Sequence, residues 1–282
     1  MKFTDTSEKA LQHLIVDYLV QQQGYTETFH TDFDREFCLN TKQLMEFIQT
    51  TQPEAYEMIQ RKGERSFLSR LDSKLTELGV VEVLRKGVKH FDKTISLFFR
   101  EPDTTLNPKD IARFKSNVLT VTQEAKYSLA HQNRLDVTLF VNGIPVITME
   151  LKNPLSGQTI HHAIRQYQDD RDPKEKLFSF GRCMAHFAAD TELVYMCTQL
   201  NGKKSGFLPF NKGLNDGGNH PPFGAGNPIN PNGLKSHYLW EQVLAKQSLC
   251  NIIDKFAQIV EETDEDTGKK KKKMVFPRYH QL

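Results

Sequence analysis

Residues 134–152, RLDVTLFVNGIPVITMELK, decide the fold, because apolar and polar side chains alternate on both sides of an Asn142-Gly143 turn. This alternation predicts two β-strands with one buried face, and Asn-Gly is a strong signal for a hairpin. Asp136, Glu150 and Lys152 lie at even-numbered positions. The odd-numbered positions are apolar: Leu135, Val137, Leu139, Val141, Ile147, Met149 and Leu151. We therefore expect one face to form core and the other to carry the charges.

The turn decides whether the two charged faces coincide. Residues opposite each other in a hairpin point to the same side, so their numbers must sum to an even number if both odd-numbered faces share one core. A two-residue loop would pair Val141 with Ile144, an odd sum. We therefore expect an odd loop or a bulge at the turn, such as a three-residue loop with Gly143 in the left-handed region.

With this geometry, Asp136, Glu150 and Lys152 suit metal-dependent phosphodiester hydrolysis. Two carboxylates on neighbouring strands are hard ligands for Mg²⁺ or Mn²⁺, and the Leu151 carbonyl is a candidate third ligand. The ion would lower the pKa of a bound water, while Lys152 positions that water or a phosphoryl oxygen. The alternative is a solvent-facing hairpin whose charges pair only for solubility, and the spacing alone does not exclude it.

The composition narrows the class of protein. The 282 residues contain 37 Lys and Arg against 35 Asp and Glu, so a net charge of +2 gives no strong global attraction to nucleic acid or membrane. The four cysteines lie far apart without a C-x-x-C pair, which argues against a zinc site and against a disulfide framework. No leading apolar run suggests a signal peptide and no stretch approaches a membrane span, so we expect a cytoplasmic protein.

The rest of the chain predicts an α/β fold with a mixed sheet. A helical portion covers about residues 1–90, starting with a helix from Thr6 or Ser7 to Gln23, with breaks in later helices at Gly63 and Gly79. A catalytic sheet covers about residues 93–200. Its predicted elements are strands at 94–99, 118–122, 135–152, 184–188 and 193–200, with a helix at 158–170.

The last third is less regular. Residues 201–233 are rich in Gly, Pro and Asn and predict a long loop, and a closing helix is expected at 237–262. The acidic run before five lysines, Lys269 to Lys273, favours a charged linker over a DNA-contacting tail. We therefore expect one domain over residues 1–262 and a linker from 263.

Several motifs carry a family resemblance. Asp136 followed by Glu150-Leu151-Lys152 is similar to the PD-(D/E)xK nuclease motif, and the surrounding sequence resembles the N-terminal nuclease region of the restriction (HsdR) subunit of type I restriction-modification enzymes. The resemblance covers most of residues 1–260. It rests on the segments 133–136, 140–145, 150–154, 157–159, 163–167, 170–173, 180–183 and 208–213.

The resemblance implies a restriction-endonuclease-like fold and an Mg²⁺-dependent endonuclease that cuts unmodified double-stranded DNA. Gln166 matches the glutamine of the family's Gln-x-x-x-Tyr element, but Asp170 stands where the tyrosine is expected, and Tyr167 is a candidate substitute. Glu8 resembles an upstream acidic position near the metal; the alternative is a first-turn glutamate favoured by the helix dipole. Substrate DNA is expected over the even-numbered face.

The end of the chain resembles another part of the same subunit. Phe276 to Leu282 is similar to the adenine-contacting glutamine motif that opens a helicase motor, with Phe276 and Gln281 as the candidate ATP-contacting residues. No G-x-x-x-x-G-K-[ST] loop occurs, so ATP is expected to act only in a longer parent protein. Expected partners are double-stranded DNA and the methyltransferase (M) and specificity (S) subunits. The alternatives are a module docking the motor onto the methyltransferase core, or a free-standing nuclease.

Overall fold

The computed structural model describes residues 7–213, 226–263, 268 and 270–282. The helices are α1 Glu8–Gln23, α2 Thr41–Thr51, α3 Pro53–Lys62, α4 Glu64–Leu78, α5 Val80–Lys86, α6 Pro108–Lys115, α7 Ile160–Arg165 and α8 Lys246–Asn251. The strands are β1 Thr26–Thr28, β2 Val88–His90, β3 Lys93–Ile95, β4 Leu119–Lys126, β5 Arg134–Val141, β6 Ile144–Leu151, β7 Ala185–Ala189, β8 Val194–Cys197, β9 Leu208–Pro209, β10 Gln258–Thr263 and β11 Lys270–Val275.

Seven of these strands form one mixed sheet in the order β1-β4-β5-β6-β7-β8-β9. The β1–β4 and β6–β7 pairs are parallel, and the other neighbours are antiparallel. Helices flank this sheet, which confirms the predicted α/β class with a restriction-endonuclease-like mixed sheet. Within the described ranges, no helix is both long and apolar enough to cross a membrane.

The N-terminal helices follow their sequence signals. The Ser7 side chain caps α1 by accepting a hydrogen bond from the Ala10 N–H, and Gly24 ends the helix at a φ of 68°. The predicted breaks at Gly63 and Gly79 are confirmed, and Pro53 starts an additional helix. These helices place their apolar stripes against the sheet. The four cysteines are free and buried.

Both faces of the central hairpin are buried, and β6 is buried along its whole length. Most odd-numbered apolar residues lie in the core that includes Leu11 and Ile15 of α1. The even-numbered face is covered by the chain between β6 and β7: Ile160 and Ala163 of α7 pack on Ala188, the strand neighbour of Glu150. The prediction of DNA over this face is therefore wrong, and so is the solvent-facing alternative. The physical reason is that a parallel β6–β7 pair requires a crossover, whose helix covers one face.

The turn is tighter than expected. Val141 pairs with Ile144, and Asn142 and Gly143 have φ of 51° and 84°, so the three-residue loop is wrong although Gly143 is left-handed as predicted. The expected bulge lies within the ladder instead. Phe140 pairs with Pro145 and Leu139 with Ile147, which leaves Val146 as the extra residue. Beyond this bulge the numbers of paired residues sum to an even number, so odd-numbered residues lie opposite odd-numbered ones.

Tertiary contacts hold the turn in its two-residue form. The Asn142 side chain accepts a hydrogen bond from the Val118 N–H at 2.7 Å and donates to the Leu97 carbonyl at 2.9 Å. The Gly143 carbonyl accepts from the Asn40 N–H at 2.8 Å. The strand predicted at 94–99 is regular only over Lys93–Ile95, because side chains bond to the backbone of residues 96, 97 and 99.

The C-terminal predictions need correction. The helix expected to reach residue 262 ends at Phe256, and Gln258–Thr263 is a strand. This strand pairs with the lysine run, with Glu261 opposite Lys272, so regular structure replaces the expected linker because opposite charges face each other across the ladder. Within the predicted loop, β9 extends the sheet. Residues 214–225 of that loop, residues 264–267 of the acidic run and residue 269 lie outside the described residues.

Gly143→Ala is expected to lower the free energy of unfolding by about 2–4 kcal/mol, because a Cβ there would combine a positive φ with steric overlap. That Cβ would lie 2.4 Å from the Asn40 carbonyl oxygen. Gly157→Ala is the matched control, with a φ of 79° and no heavy atom within 4 Å of the added Cβ, and should cost about 1 kcal/mol. Urea unfolding of both variants measures the difference, and equal losses would contradict the close packing of this turn.

Candidate active site

The site begins where β5 and β6 separate. Their antiparallel pairing ends at Val137 opposite Met149, so the Leu151 N–H lies beyond the ladder. It donates to Asp136 Oδ2 at 2.6 Å. Leu135, one residue earlier, is buried with Tyr127 in a cluster separate from the core of the other odd-numbered residues. The hydrogen bond from the Leu151 N–H directs the Asp136 carboxyl across the gap between the strands, toward the end of β6.

Glu150 lies on the other side of this gap and is fully buried. Its Oε1 accepts a hydrogen bond from Arg171 Nε at 2.7 Å, in an ion pair whose side chains are 0% and 5% exposed. Within the described parts of the chain, Glu150 Oε2 is buried without any hydrogen-bond partner. A partnerless carboxylate oxygen inside a protein is costly unless a proton or a cation satisfies it.

Both carboxyl groups are costly to ionise where they lie. Burial raises the pKa of Glu150 well above its usual range, and Asp136 raises it further, while Arg171 and Lys152 act in the opposite direction. Burial raises the pKa of Asp136 to about 6, although the Leu151 N–H and Lys152 oppose this rise. A divalent cation between the two carboxylates would offset both effects.

Lys152 completes the group at the end of β6. Its Nζ lies 2.9 Å from Glu8 Oε1, and the two side chains are 8% and 31% exposed. The start of α1 is therefore beside the site, and the Asn153 side chain donates to the Ser7 carbonyl at 3.4 Å. Glu8 also acts on Asp136 and raises its pKa. The structure brings Glu8 to Lys152; its role as a metal ligand stays a prediction.

The glutamine-tyrosine element lies on the segment after α7. Gln166 is half-buried at the start of a π-helical turn, Gln166–Asp170, and its catalytic role stays a prediction. Asp170, in the expected tyrosine position, is exposed. Tyr167 points inward instead, with its hydroxyl 2.8 Å from Thr148 Oγ1, and burial raises its pKa, with a further rise from Glu150. Tyr167, and not residue 170, therefore lies beside the site, and its role as a substitute for the motif's tyrosine stays a prediction.

Arg171 is the site residue that sequence reasoning missed. It is 21 residues from its partner Glu150, and no short-range pattern connects them. A signal was present, because the segment 170–173 belongs to the family resemblance. His186 was also missed: its Nδ1 lies 2.7 Å from Thr148 Oγ1, and burial lowers its pKa to about 3, so it is a neutral member of a polar network beneath the carboxylates.

The residues predicted to contact ATP lie elsewhere. Phe276 is 5% exposed, and its ring centroid is 5.8 Å from that of Phe187 on β7. Gln281 Oε1 accepts a hydrogen bond from the Arg278 N–H, three residues earlier, at 2.8 Å. Phe276 is therefore part of the core here, and an adenine-binding role for either residue stays a prediction.

The donor set for a metal is small. Among the described residues, no group of three or more His, Cys, Asp or Glu side chains is arranged to hold an ion. The site offers two carboxylates, Asp136 and Glu150, and the Leu151 carbonyl stays a predicted ligand. Mg²⁺ is commonly held by one or two carboxylates and keeps several waters, so this donor set fits Mg²⁺ or Mn²⁺.

Asp136→Asn is expected to stabilise the metal-free protein at neutral pH. The folded state holds the Asp136 proton up to a pKa of about 6, against an ordinary value of 3.8, so stability falls as pH rises between these values. The asparagine variant lacks this loss of up to about 3 kcal/mol. Urea unfolding without divalent ions should show the variant more stable at pH 7, with the difference vanishing below about pH 4. The exposed control Asp92→Asn should show no such pH-dependent gain, and a wild-type protein as stable as Asp136→Asn at pH 7 would contradict the assignment.

One known family matches most of this chain. The family model described as type I restriction enzyme R protein N terminus matches residues 5–205, well over half of the chain. The match includes every strand of the central sheet from β1 to β8 and the residues Glu8, Asp136, Glu150, Lys152, Gln166 and Arg171. The chain belongs to the family of type I restriction enzyme R protein N-terminal regions.

Proposed function

We propose that this chain is the Mg²⁺-dependent endonuclease module of a type I restriction enzyme R subunit, and that it hydrolyses phosphodiester bonds of unmodified double-stranded DNA. The observation that carries the proposal is the pair of buried carboxyl groups, Asp136 and Glu150, at the separated ends of β5 and β6. One oxygen of Glu150 has no hydrogen-bond partner in the described chain. A site that destabilises its own negative charge in this way suits a cation and the phosphate that the cation binds.

Asp136 and Glu150 would hold the ion, either Mg²⁺ or Mn²⁺. When bound, the ion would supply Lewis-acid stabilisation of the phosphate and a water of lowered pKa. The protein supplies the positions of these ligands. The Leu151 N–H fixes Asp136, and the Arg171 guanidinium fixes Glu150.

Lys152 supplies a second positive charge beside the carboxylates, in addition to that of Arg171. The Lys152 N–H donates to the Ala189 carbonyl at 2.9 Å, which ties the end of β6 to β7, and Glu8 orients the ammonium group. The Lys152 side chain is 8% exposed, so its charge is weakly screened by water. In this position it would orient a phosphoryl oxygen or the attacking water.

DNA would approach the end of the sheet rather than a face, because both faces of the central hairpin are covered. The start of β5 and the end of β6 meet at this end, and the loops beside them expose polar groups. These exposed residues are His131, Gln132, Asn133, Arg134, Gln158, His161 and His162. Delivery of the DNA would depend on ATP-driven translocation by a motor domain of the full-length subunit, assembled with the M and S subunits.

The proposal is tested in the complete restriction complex. Asp136→Asn and Lys152→Ala should each lower DNA cleavage by at least about 100-fold, because the first removes a ligand charge that would hold the ion and the second removes the charge that would orient the phosphate or the attacking water. ATP hydrolysis and assembly with the M and S subunits should be unchanged. Cleavage, ATP hydrolysis and assembly are measured on the same preparations, with Asp92→Asn as the surface control.

Unchanged cleavage by either variant would contradict the catalytic assignment. Loss of assembly with either variant would favour the alternative in which this region mainly docks the motor onto the methyltransferase core. The comparison is made in the complex because cleavage is proposed to require translocation by the motor.

A further inference from the structure

Arg171 connects the two strand ends that carry the carboxylates. Its Nε donates to Glu150 Oε1 on β6 at 2.7 Å, and its Nη2 donates to the Arg134 carbonyl on β5 at 2.8 Å. The guanidinium carbon lies 5.8 Å from the centroid of the Tyr127 ring, which packs against the planar group. The side chain is 5% exposed. Arg171 therefore bridges the gap in which Asp136 and Glu150 face each other.

This bridge decides how many carboxylate oxygens remain for a ligand. Arg171 takes Glu150 Oε1, and the Leu151 N–H takes Asp136 Oδ2. Glu150 Oε2 has no partner among the residues that the structure describes, and the carboxylate of Glu8 is paired with Lys152. Each of the two central carboxylates is thus held by one oxygen and presents the other.

The number of oxygens that a carboxylate presents matters for the choice of ion. Mg²⁺ and ions of similar size need near-octahedral geometry and are satisfied by single oxygens of one or two carboxylates with several waters. Ca²⁺ takes six to eight oxygens and commonly binds a carboxylate through both. A buried arginine beside the site also opposes the entry of a second divalent ion.

We infer that Arg171 is a positioning residue that restricts Glu150 to one ligating oxygen and thereby selects a single Mg²⁺- or Mn²⁺-sized ion over Ca²⁺. The inference rests on the proposed function, since it concerns the ion of the same site. It differs from a purely structural role, in which the ion pair would only anchor the segment after α7. If Arg171 only anchors this segment, its loss would weaken the binding of all divalent ions equally. If Arg171 restricts Glu150 to one ligating oxygen, its loss changes the affinity for Ca²⁺ relative to Mn²⁺.

The test measures Mn²⁺ and Ca²⁺ binding to this chain by titration calorimetry at pH 7.5, with circular dichroism as the check of folding. The wild-type chain should bind one Mn²⁺, more tightly than Ca²⁺, and Asp136→Asn should abolish this binding. Arg171→Met frees Glu150 Oε1, so the affinity for Ca²⁺ relative to Mn²⁺ should rise by about tenfold or more. Arg171→Lys keeps a donor near Oε1 and should change the ratio by less than about threefold. The exposed Arg165→Met, which removes the same charge from α7, is the matched control and should leave the ratio unchanged.

The outcomes separate this inference from the proposed function. The inference would be overturned, and the proposed function kept, if the wild-type chain binds one Mn²⁺, Asp136→Asn abolishes this binding, and Arg171→Met leaves the affinity for Ca²⁺ relative to Mn²⁺ unchanged. Two Mn²⁺ of similar affinity in the wild-type chain would overturn it as well, and this result requires no Arg171 variant to fold. Mn²⁺ binding that is absent, or that Asp136→Asn leaves intact, would overturn the proposed function and the inference with it.

Discussion

The separation of β5 from β6 beyond Val137 and Met149 is the constraint on which the rest of the site depends. Two strands that stayed paired would use the Leu151 N–H in their ladder and leave no gap for carboxyl groups. Because the strands part, that N–H holds Asp136, and Glu150 faces the opening from the other side. Arg171 and Lys152 offset part of the negative charge that this arrangement buries. The surrounding structure therefore stabilises two carboxyl groups that would otherwise be better placed in water.

The chain that covers the even-numbered face contributes to the electrostatic surroundings of the site. The crossover between β6 and β7 brings Tyr167 onto the sheet, where Thr148 contacts both its hydroxyl and His186. These polar groups form hydrogen bonds with one another and exclude water beneath the carboxylates. The exclusion of water beneath the site strengthens the charge interactions above it, including that of Lys152. The same crossover that makes the parallel pair possible thus sets the electrostatic surroundings of the site.

Local patterns in the sequence predicted much of the fold. Strand alternation located β5 and β6, Ser7 and Gly24 bounded α1, and Gly63 and Gly79 marked helix breaks, because each signal acts within a few residues. The tertiary contacts were out of reach. Nothing near Asn142 indicates that Val118 and Leu97 hold its turn tight, and the apolar stripe after α8 does not show that pairing with a lysine strand makes Gln258–Thr263 extended. For the site, the resemblance gave Asp136, Glu150 and Lys152, whereas Arg171 depends on a contact that only the folded chain makes.

The bulge at Val146 has a consequence for insertions and deletions in this hairpin. The two-residue turn and the one extra residue together set the register in which even-numbered residues of β5 lie opposite even-numbered residues of β6. This register places Asp136 and Glu150 on the same side of the hairpin. Deleting Val146 itself would leave the same partners opposite each other in a regular ladder. Deleting or inserting one residue between Ile147 and Glu150 would instead turn Glu150 and Lys152 toward the apolar core. The distance in sequence between the two carboxylates can therefore shrink by the one residue that forms the bulge without loss of the site, because the register beyond the bulge is unchanged.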